Sequence, residues 1–414
     1  METMSLEAAR NAVLGAVDAA EAELLSASRR IHARPELGGE EEVFASALAA
    51  SILEASGFEV ERGYAGLPTA FLARKRRGQG RRVAFLAEYD ALPELGHACG
   101  HNLICASALA AGLGLGAALD AGAASGEVLV YGTPAEETDG AKAAMAGKGL
   151  FDGLDAALMA HPYAGSHLLT ESLAMDALEV EFTGLSSHAA ASPWEGRNAL
   201  DGVILLFTSL NALRQQLRPD ARVHGIVSNG GAAPNVIPDR AAARFYLRAG
   251  SRDYLDAVAA RFRDCVAAAA LASGTRAEAR NYEASFDDMV NSRILAARFG
   301  EHAEGRLGLG PFGGAPDSFG SIDMGNVSRR APSIHILFDI AGGSPLTAHS
   351  PAFREAAASP RAERAMLTAG KALALTGLDV LLDEAFAASA RAEFEASAGR
   401  AGAAGPGVAG QGKA

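Results

Sequence analysis

Apolar and polar positions follow two different periods along this chain. In the first 160 residues, short runs that are apolar at nearly every position (83–89, 127–131, 156–159) alternate with Ala- and Leu-rich helical stretches at 103–120 and 140–151. A strand buried on both faces reads as such a continuous run, so the pattern predicts an α/β domain with a mainly parallel sheet. Before it, residues 5–57 read as two helices broken by Pro35, Gly38 and Gly39.

The period then changes. Residues 177–183, ALEVEFT, alternate apolar and polar as a half-exposed strand does. A helix over 197–218, strands at 221–228 and 240–248, a helix over 252–273 and a strand at 276–283 complete a β-α-β-β-α-β series, a compact α+β module. Helical and then apolar-strand character resumes at 290–304 and 334–338, with helices at 351–375 and after Gly377. The module is therefore an insertion: 1–174 and 287–397 form one domain, 175–286 the inserted one. Residues 398–414, AGRAGAAGPGVAGQGKA, are a low-complexity tail expected to be disordered.

Composition narrows the classes. The chain is 49% hydrophobic and 21% charged, with a net charge of −12, and no basic cluster is matched with aromatics, which argues against nucleic acid as a partner. The basic run Arg74–Arg77 with Arg81 and Arg82 flanks a Gly-Gln-Gly turn and reads as a solvated hairpin tip. Three scattered cysteines, Cys99, Cys105 and Cys265, argue against a disulfide framework and fit a reducing compartment. The first residues lack a signal peptide's basic start and apolar block, and no uninterrupted apolar stretch reaches about 18 residues. A cytoplasmic protein without a membrane partner is expected.

Candidate chemistry collects at four strand ends, where open α/β sheets bind ligands. The first strand runs into Asp90 and then ELGHACGHN, holding His97, Cys99 and His101; the second into Thr133-Pro134-Ala135-Glu136-Glu137; the third into His161; the last into a Gly-rich loop and His349. Thiolate, imidazole and carboxylate together have the composition of a transition-metal site. In Cys99-Gly100-His101 the glycine lets two near-adjacent side chains enter one space. A zinc ribbon would need a second cysteine pair, and a redox motif would need C-x-x-C, whereas Cys99 and Cys105 are six apart. Gly112, Gly114 and Gly116 lie within a helical run rather than after a strand, and so serve helix packing rather than a dinucleotide. His97 and His335 read as supporting or core histidines, and Asp90 is placed to orient a metal-binding imidazole.

These motifs resemble the aminoacylase and carboxypeptidase-G type metallopeptidases, family M20, in their amidohydrolase branch. The resemblance runs from RRIHARPELGGEE through AEYDALPELGHACGHN, GTPAEETDGAK, AHP, GLSSHAAASPWEGRNAL, APNVIPD and SIDMGNVS to HSPAF. Within the branch, EYDALP with GHACGHN is most similar to dipeptidase-like and aminobenzoyl-glutamate hydrolase-like members. The commoner pattern has RADMDALP and ends its histidine motif in Asp, so Glu88, Tyr89 and Asn102 depart from it, and Asn102 is expected to mark where the substrate differs.

The resemblance implies a metallopeptidase-like catalytic domain carrying an inserted ferredoxin-like dimerisation or lid domain, and hence a homodimer. It implies one or two divalent ions, manganese or zinc with cobalt or nickel as alternatives, held by Cys99, His101, Glu137, His161 and His349, the thiolate being shared between two metals. It implies Glu136 as general base, His188 as a residue reaching across to the partner's active site, and Asn235 and Arg248 as grips on a small substrate near its carboxylate. The chemistry agrees with those roles. Hydrolysing an amide needs a nucleophile at neutral pH, and a bound metal lowers the pKa of its water to about 7. Glu136 could take that proton and return it to the leaving amine. The expected activity is metal-dependent cleavage of the C–N bond of a dipeptide, N-acyl amino acid or aryl-amide conjugate. Deamination of an aromatic or heterocyclic amine on the same scaffold, and metal-dependent binding without turnover, are the alternatives.

Overall fold

The computed structural model describes residues 5–39, 41–316 and 320–403. Its contacts divide the chain into two units. One comprises the chain up to Glu171, the stretch from Met289 and the chain from Asp323; the other comprises Ser172–Asp288 with Gly320–Ile322.

The first unit begins with α1 (Leu6–Ala19), α2 (Glu21–Ala33) and α3 (Val43–Ala55), followed by β1 (Glu59–Arg62), β2 (Phe71–Arg77), β3 (Arg82–Ala87), α4 (His101–Asp120), β4 (Gly126–Gly132), α5 (Ala141–Gly147) and β5 (Ala156–Tyr163). The second unit holds β6 (Ala174–Thr183), α6 (Ala199–Arg214), β7 (Arg222–Asn229), β8 (Arg240–Ala249), α7 (Arg252–Ser273) and β9 (Arg276–Asn281). The first then resumes with α8 (Arg293–Gly300), α9 (Met324–Ser328), β10 (Ser333–Asp339), α10 (Pro351–Ala357), α11 (Pro360–Leu382) and α12 (Glu384–Ala403).

The first unit's sheet has the order β1-β2-β4-β3-β5-β10. β4, β3, β5 and β10 are mutually parallel, and β1 and β2 add antiparallel strands at one edge. The mainly parallel α/β class expected from the apolar runs is thus what the chain forms. Because the four parallel strands point the same way, their carboxyl ends share one rim, and the polar residues that follow them are brought together there.

Several local expectations are corrected. The segment 5–57 holds three helices, not two, because α1 and α2 part at Ala20, whose N–H still bonds back to Ala16. That break uses neither a proline nor a glycine, so the pattern does not reveal it. The basic run is no hairpin tip: β2 pairs with β4, and β4 lies between β2 and β3. Gly377 does not end a helix; α11 passes through it, and the position is glycine because Leu115, Val83 and Phe85 pack where a side chain would be.

Two helices, α4 and α11, are long and apolar enough to cross a bilayer by length and composition, contrary to the sequence expectation. Both are core helices, with 94% and 83% of their apolar windows buried inside the protein. They pack against each other so closely that a Cβ at Gly370 of α11 would lie 2.6 Å from the Ala110 Cβ of α4. The expected tail enters α12 for its first residues, and 404–414 lie outside the described residues.

The second unit is a four-stranded antiparallel sheet, β7-β8-β6-β9, with α6 and α7 on one face. Leu178, Val180 and Phe182 of β6 and Phe245 and Leu247 of β8 pack against Leu206, Leu255, Val258 and Phe262 of the helices. The intervening residues of each strand, Glu179 and Arg244 among them, face the other way. Ser251 caps α7 by accepting the N–H of Tyr254 at 3.3 Å, the usual role of serine at a helix start.

Candidate metal centre

Gly100 makes the first cluster possible. It has φ +83°, and a Cβ there would lie 2.5 Å from Pro162 Cγ, so only glycine lets the chain turn at this point into α4. The turn places Cys99 and His101 beside His161 of β5. Their ligand atoms lie within 4.8 Å of one another, and Cys99 Sγ is 3.5 Å from His161 Nε2.

A second set, Cys99 with Glu137 and His349, meets the same distance limit, as does a third, His101 with Glu136 and Glu137. His349 Nε2 is 3.4 Å from Glu137 Oε1. Cys99 is therefore common to two overlapping sets. The loop after β4 and the loop after β10 reach these positions through left-handed residues, Ala135 at φ +58° and His349 at φ +60°. Such backbone strain persists only where surroundings enforce it. Here the His349 N–H donates to Ala98 O at 2.9 Å, and the Ala135 N–H donates to Glu42 Oε1 at 2.7 Å.

The imidazoles are oriented by what their other nitrogens meet. His101 Nδ1 lies 2.9 Å from Asp90 Oδ1, and His161 Nδ1 lies 2.7 Å from Pro162 O. Both partners can only accept, so each Nδ1 carries a proton and Nε2 is the ring atom left to face another group. Asp90 also accepts the Glu137 N–H at 2.9 Å, which ties two of the loops together.

Electrostatics explain why a cation suits this place. Nε2 of His101 and Oε1 of Glu137 are buried and make no hydrogen bond, and orphaned buried polar atoms are costly. Burial, helped by the negative charges of Glu88, Glu137 and Asp323, raises the Glu136 carboxyl well above the usual glutamate range. Burial also raises the Cys99 thiol and lowers His161 to about 4. A thiolate flanked by carboxylates is sustained only by positive charge. Thiol, imidazoles and carboxylates within bonding reach, two of their atoms orphaned, fit divalent metal.

Four groups that sequence reasoning assigned no role support this centre. Lys142 of α5 is fully buried, with Nζ 2.6 Å from Glu88 Oε1 and 2.7 Å from Asp323 Oδ1. The other Glu88 oxygen stands 3.5 Å from His101 Nε2, and Glu88, Glu136 and Asp323 lie within 4.8 Å of one another. Burial opposes the Lys142 charge, but Asp323 and Glu88 outweigh it and hold the ammonium above its ordinary value. The one available signal was a lone lysine in the otherwise apolar AKAAMAG.

Glu42 is the fourth. Its side chain accepts from the Ala135 N–H and from the Thr69 hydroxyl at 3.2 Å, and burial raises it to about 7. The folded chain then holds this proton up to about pH 7, whereas the unfolded chain releases it near the ordinary glutamate value of 4.5. Stability from Glu42 is full below that lower value and is lost as pH rises through 7, by roughly 3 kcal/mol at most. Glu42→Gln keeps an acceptor for Ala135, so its urea midpoint is expected to fall less than the wild type's between pH 5 and 8. Parallel curves for the two proteins would count against this assignment.

The other expected residues lie elsewhere. His97 stacks on His32, centroids 6.0 Å apart, and His335 tilts against His161 at 5.4 Å. Asn102 does not face the donors: its amide donates to Ser28 Oγ at 2.9 Å and Ala357 O at 3.3 Å, so it anchors helices rather than marking a substrate difference. His188, Asn235 and Arg248 belong to the second unit. His188 and Asn235 are neighbours there, since the Ala189 N–H donates to Asn235 O at 3.0 Å and both side chains are exposed. Arg248 is at the other end of β8, about 25 Å from Arg240 at a strand's rise.

Residues 174–273 match the peptidase dimerisation domain of the M20 family. The chain is 41% identical over 348 residues to the Xaa-Arg dipeptidase of Mus musculus, covering 80% of this chain and 78% of that one. It is 36% identical over 405 residues to the Xaa-Arg dipeptidase of Homo sapiens, covering 92% and 90%. A dinuclear metal-binding peptidase of the M20 family from Bacillus subtilis has the same fold, with a TM-score of 0.66 at 22% identity, covering 88% of this chain and 99% of that one. The fold, the donor set and these kinships together define a metal-dependent hydrolase of C–N amide bonds. The chain belongs to the M20 amidohydrolase family. Deamination and binding without turnover are not favoured by its relatives.

Proposed function

We propose that Cys99, His101, Glu137, His161 and His349 hold two divalent ions, manganese or zinc, and that the substrate is a dipeptide or N-acyl amino acid with a free carboxylate. The observation that carries the reading is the pair of buried orphan atoms, His101 Nε2 and Glu137 Oε1, set among donors that share Cys99. Bound there, the ions supply the Lewis acidity that activates water and polarises an amide carbonyl. Glu136 does the proton work: raised by burial and by its acidic neighbours, it takes a proton from water and passes it to the leaving nitrogen.

Arg248 supports a carboxylate grip. Its guanidinium is half-buried, donates to Ser321 Oγ at 2.9 Å and pairs with no carboxylate among the described residues. Burial lowers it from the ordinary arginine value, the sign of a cation short of a counter-ion. His188 and Asn235, a strand's length away, cannot reach the same small molecule from the same chain. A second copy would therefore supply His188 and Asn235 to the substrate whose carboxylate Arg248 holds. The exposed Ile226 and Val227 on the edge strand β7 and Ile204 on α6, 65%, 48% and 53% accessible, are the surface we assign to that copy. Sedimentation at the mass of two chains is the expected result, and an active monomer would remove His188 and Asn235 from the mechanism.

The test of the whole reading is metal removal. Dialysis against a chelator is expected to abolish hydrolysis across a panel of dipeptides and N-acyl amino acids and to lower the unfolding midpoint, and Mn²⁺ or Zn²⁺ should restore both. Full activity in protein shown to be metal-free would refute it.

A further inference from the structure

The sheet face of the second unit turned away from α6 and α7 carries a cross-strand row formed by His224, Tyr246, Ala177 and Tyr282. Ala177 is small enough to let the rings of Tyr246 and Tyr282 stack over it, centroids 6.1 Å apart and 29° from parallel. Two residues further along β8, Arg248 places its Cζ 5.4 Å from the centre of the Tyr246 ring. The hydroxyl of that same ring donates to Glu283, 2.9 Å from each carboxylate oxygen. A guanidinium and a carboxylate thus flank one phenol.

The two charges do not form an ion pair with each other or with any other group among the described residues. Nearby arginines differ. Arg244 and Arg280 both bond Glu179, at 2.9 and 2.6 Å, and Arg252 bonds Asp176 at 2.9 Å. These three arginines each have a carboxylate partner, whereas Arg214 and Arg222 of the same unit bond the backbone carbonyls of Val223 and Ala221. Arg248 and Glu283 are set apart instead, both partly buried, with an aromatic wall between them. That arrangement is complementary to a molecule carrying an anion and a cation separated by an apolar stem.

We propose that Glu283 is a specificity-determining residue that selects a basic side chain, lysine or arginine, on the substrate residue whose carboxylate Arg248 holds. The methylene stem runs along the Tyr246 ring, which also favours a cation near its face, and the terminal ammonium or guanidinium meets Glu283. An acidic side chain would be repelled at the same point, and a neutral one would gain nothing there. The proposal rests on the reading of Arg248 given above and adds to it the identity of the neighbouring side chain.

The test is equilibrium binding of single amino acids to the metal-loaded protein, by calorimetry, with L-arginine, L-norleucine and L-glutamate as probes. Wild type is expected to bind arginine about ten- to a hundredfold more tightly than norleucine, the range for one charged hydrogen bond. Glu283→Gln, which can still accept from Tyr246, should bring the two within about threefold. Glu283→Arg should reverse the order of arginine and glutamate, and melting curves establish that both variants are folded. With Xaa-Arg and Xaa-norleucine dipeptides, the selectivity should appear in KM and not in kcat. Equal binding of arginine and norleucine by wild type, or an arginine preference that survives Glu283→Gln, overturns the proposal. A Glu283-dependent arginine preference in a protein that cleaves no dipeptide would support this subsite and sink the hydrolytic reading alone.

Discussion

Glutamine in place of Glu136 is expected to lower kcat by about 10²–10⁴, the usual worth of a positioned general base, while the protein keeps its metal. The expectation follows from what surrounds the carboxylate. Its Oε2 lies 3.9 Å from His101 Nε2, in the third donor set, yet the residue is crowded by Glu88, Glu137 and Asp323, whose charges and whose burial of the site favour its protonated form. A carboxylate so placed gains a proton easily and is suited to carry one between two reacting atoms. Glu137 beside it is held the opposite way: against the cost of burial, His349, with Nε2 3.4 Å from Oε1, and the neighbouring His101 keep it below the ordinary value. Two adjacent glutamates with opposed tendencies suit the proposed division into proton carrier and ligand. Glu136→Gln preserves shape and hydrogen bonding but cannot carry the proton. Turnover on the best dipeptide, read beside metal content per chain, separates the outcomes. A kcat within about threefold of wild type removes Glu136 from the chemistry, and loss of metal would make it a ligand instead.

How far the sequence foretold this arrangement depends on the range of the interaction concerned. β3, β4, β5 and β10 were legible because each is a continuous apolar run, and β6 to β9 because the period-two pattern is local. β1 and β2 were not: EVER and the second half of FLARKRR are charged, since they lie at the sheet edge where side chains meet water. The donors were legible because thiol and imidazole are rare here and stand at strand ends. Asn102 and Glu88, both visible as departures from the common pattern, could not be ranked from sequence. α4 begins at His101, so one step along the helix turns the next side chain by about 100°. His101 looks at the donors, and Asn102 looks at α2 and the end of α10. Glu88 is the departure that faces the metal centre. Its counter-ion could not be read either, because Glu88, Lys142 and Asp323 come from three segments far apart in the chain and meet only once β3, α5 and α9 are packed.

That meeting gives the largest stability effect expected of any single substitution in the first unit. Lys142→Met should destabilise the metal-loaded protein by about 3–5 kcal/mol, the cost of leaving buried carboxylates without their cation. Glu88 is 2% exposed and Asp323 is fully buried, so water cannot take over the role of the ammonium. The ion pair is not itself expected to be a large net gain over an apolar core, because desolvating three charges offsets most of the attraction. What the cycle should show is therefore coupling: Lys142→Met with Glu88→Gln should cost less than the sum of the two single changes. The sign of the pH dependence follows from the same carboxylates. Asp323 is already raised to about 6 by burial, even with Lys142 beside it, and loses its main opposing influence in the variant. The folded variant then retains protons that the unfolded chain has released, so its deficit relative to wild type should grow as pH rises from 5 to 8. Urea unfolding of the four proteins of the cycle at both pH values measures each quantity. Strict additivity, or a deficit that shrinks with rising pH, would mean that Lys142 fills space beside Glu88 without balancing its charge.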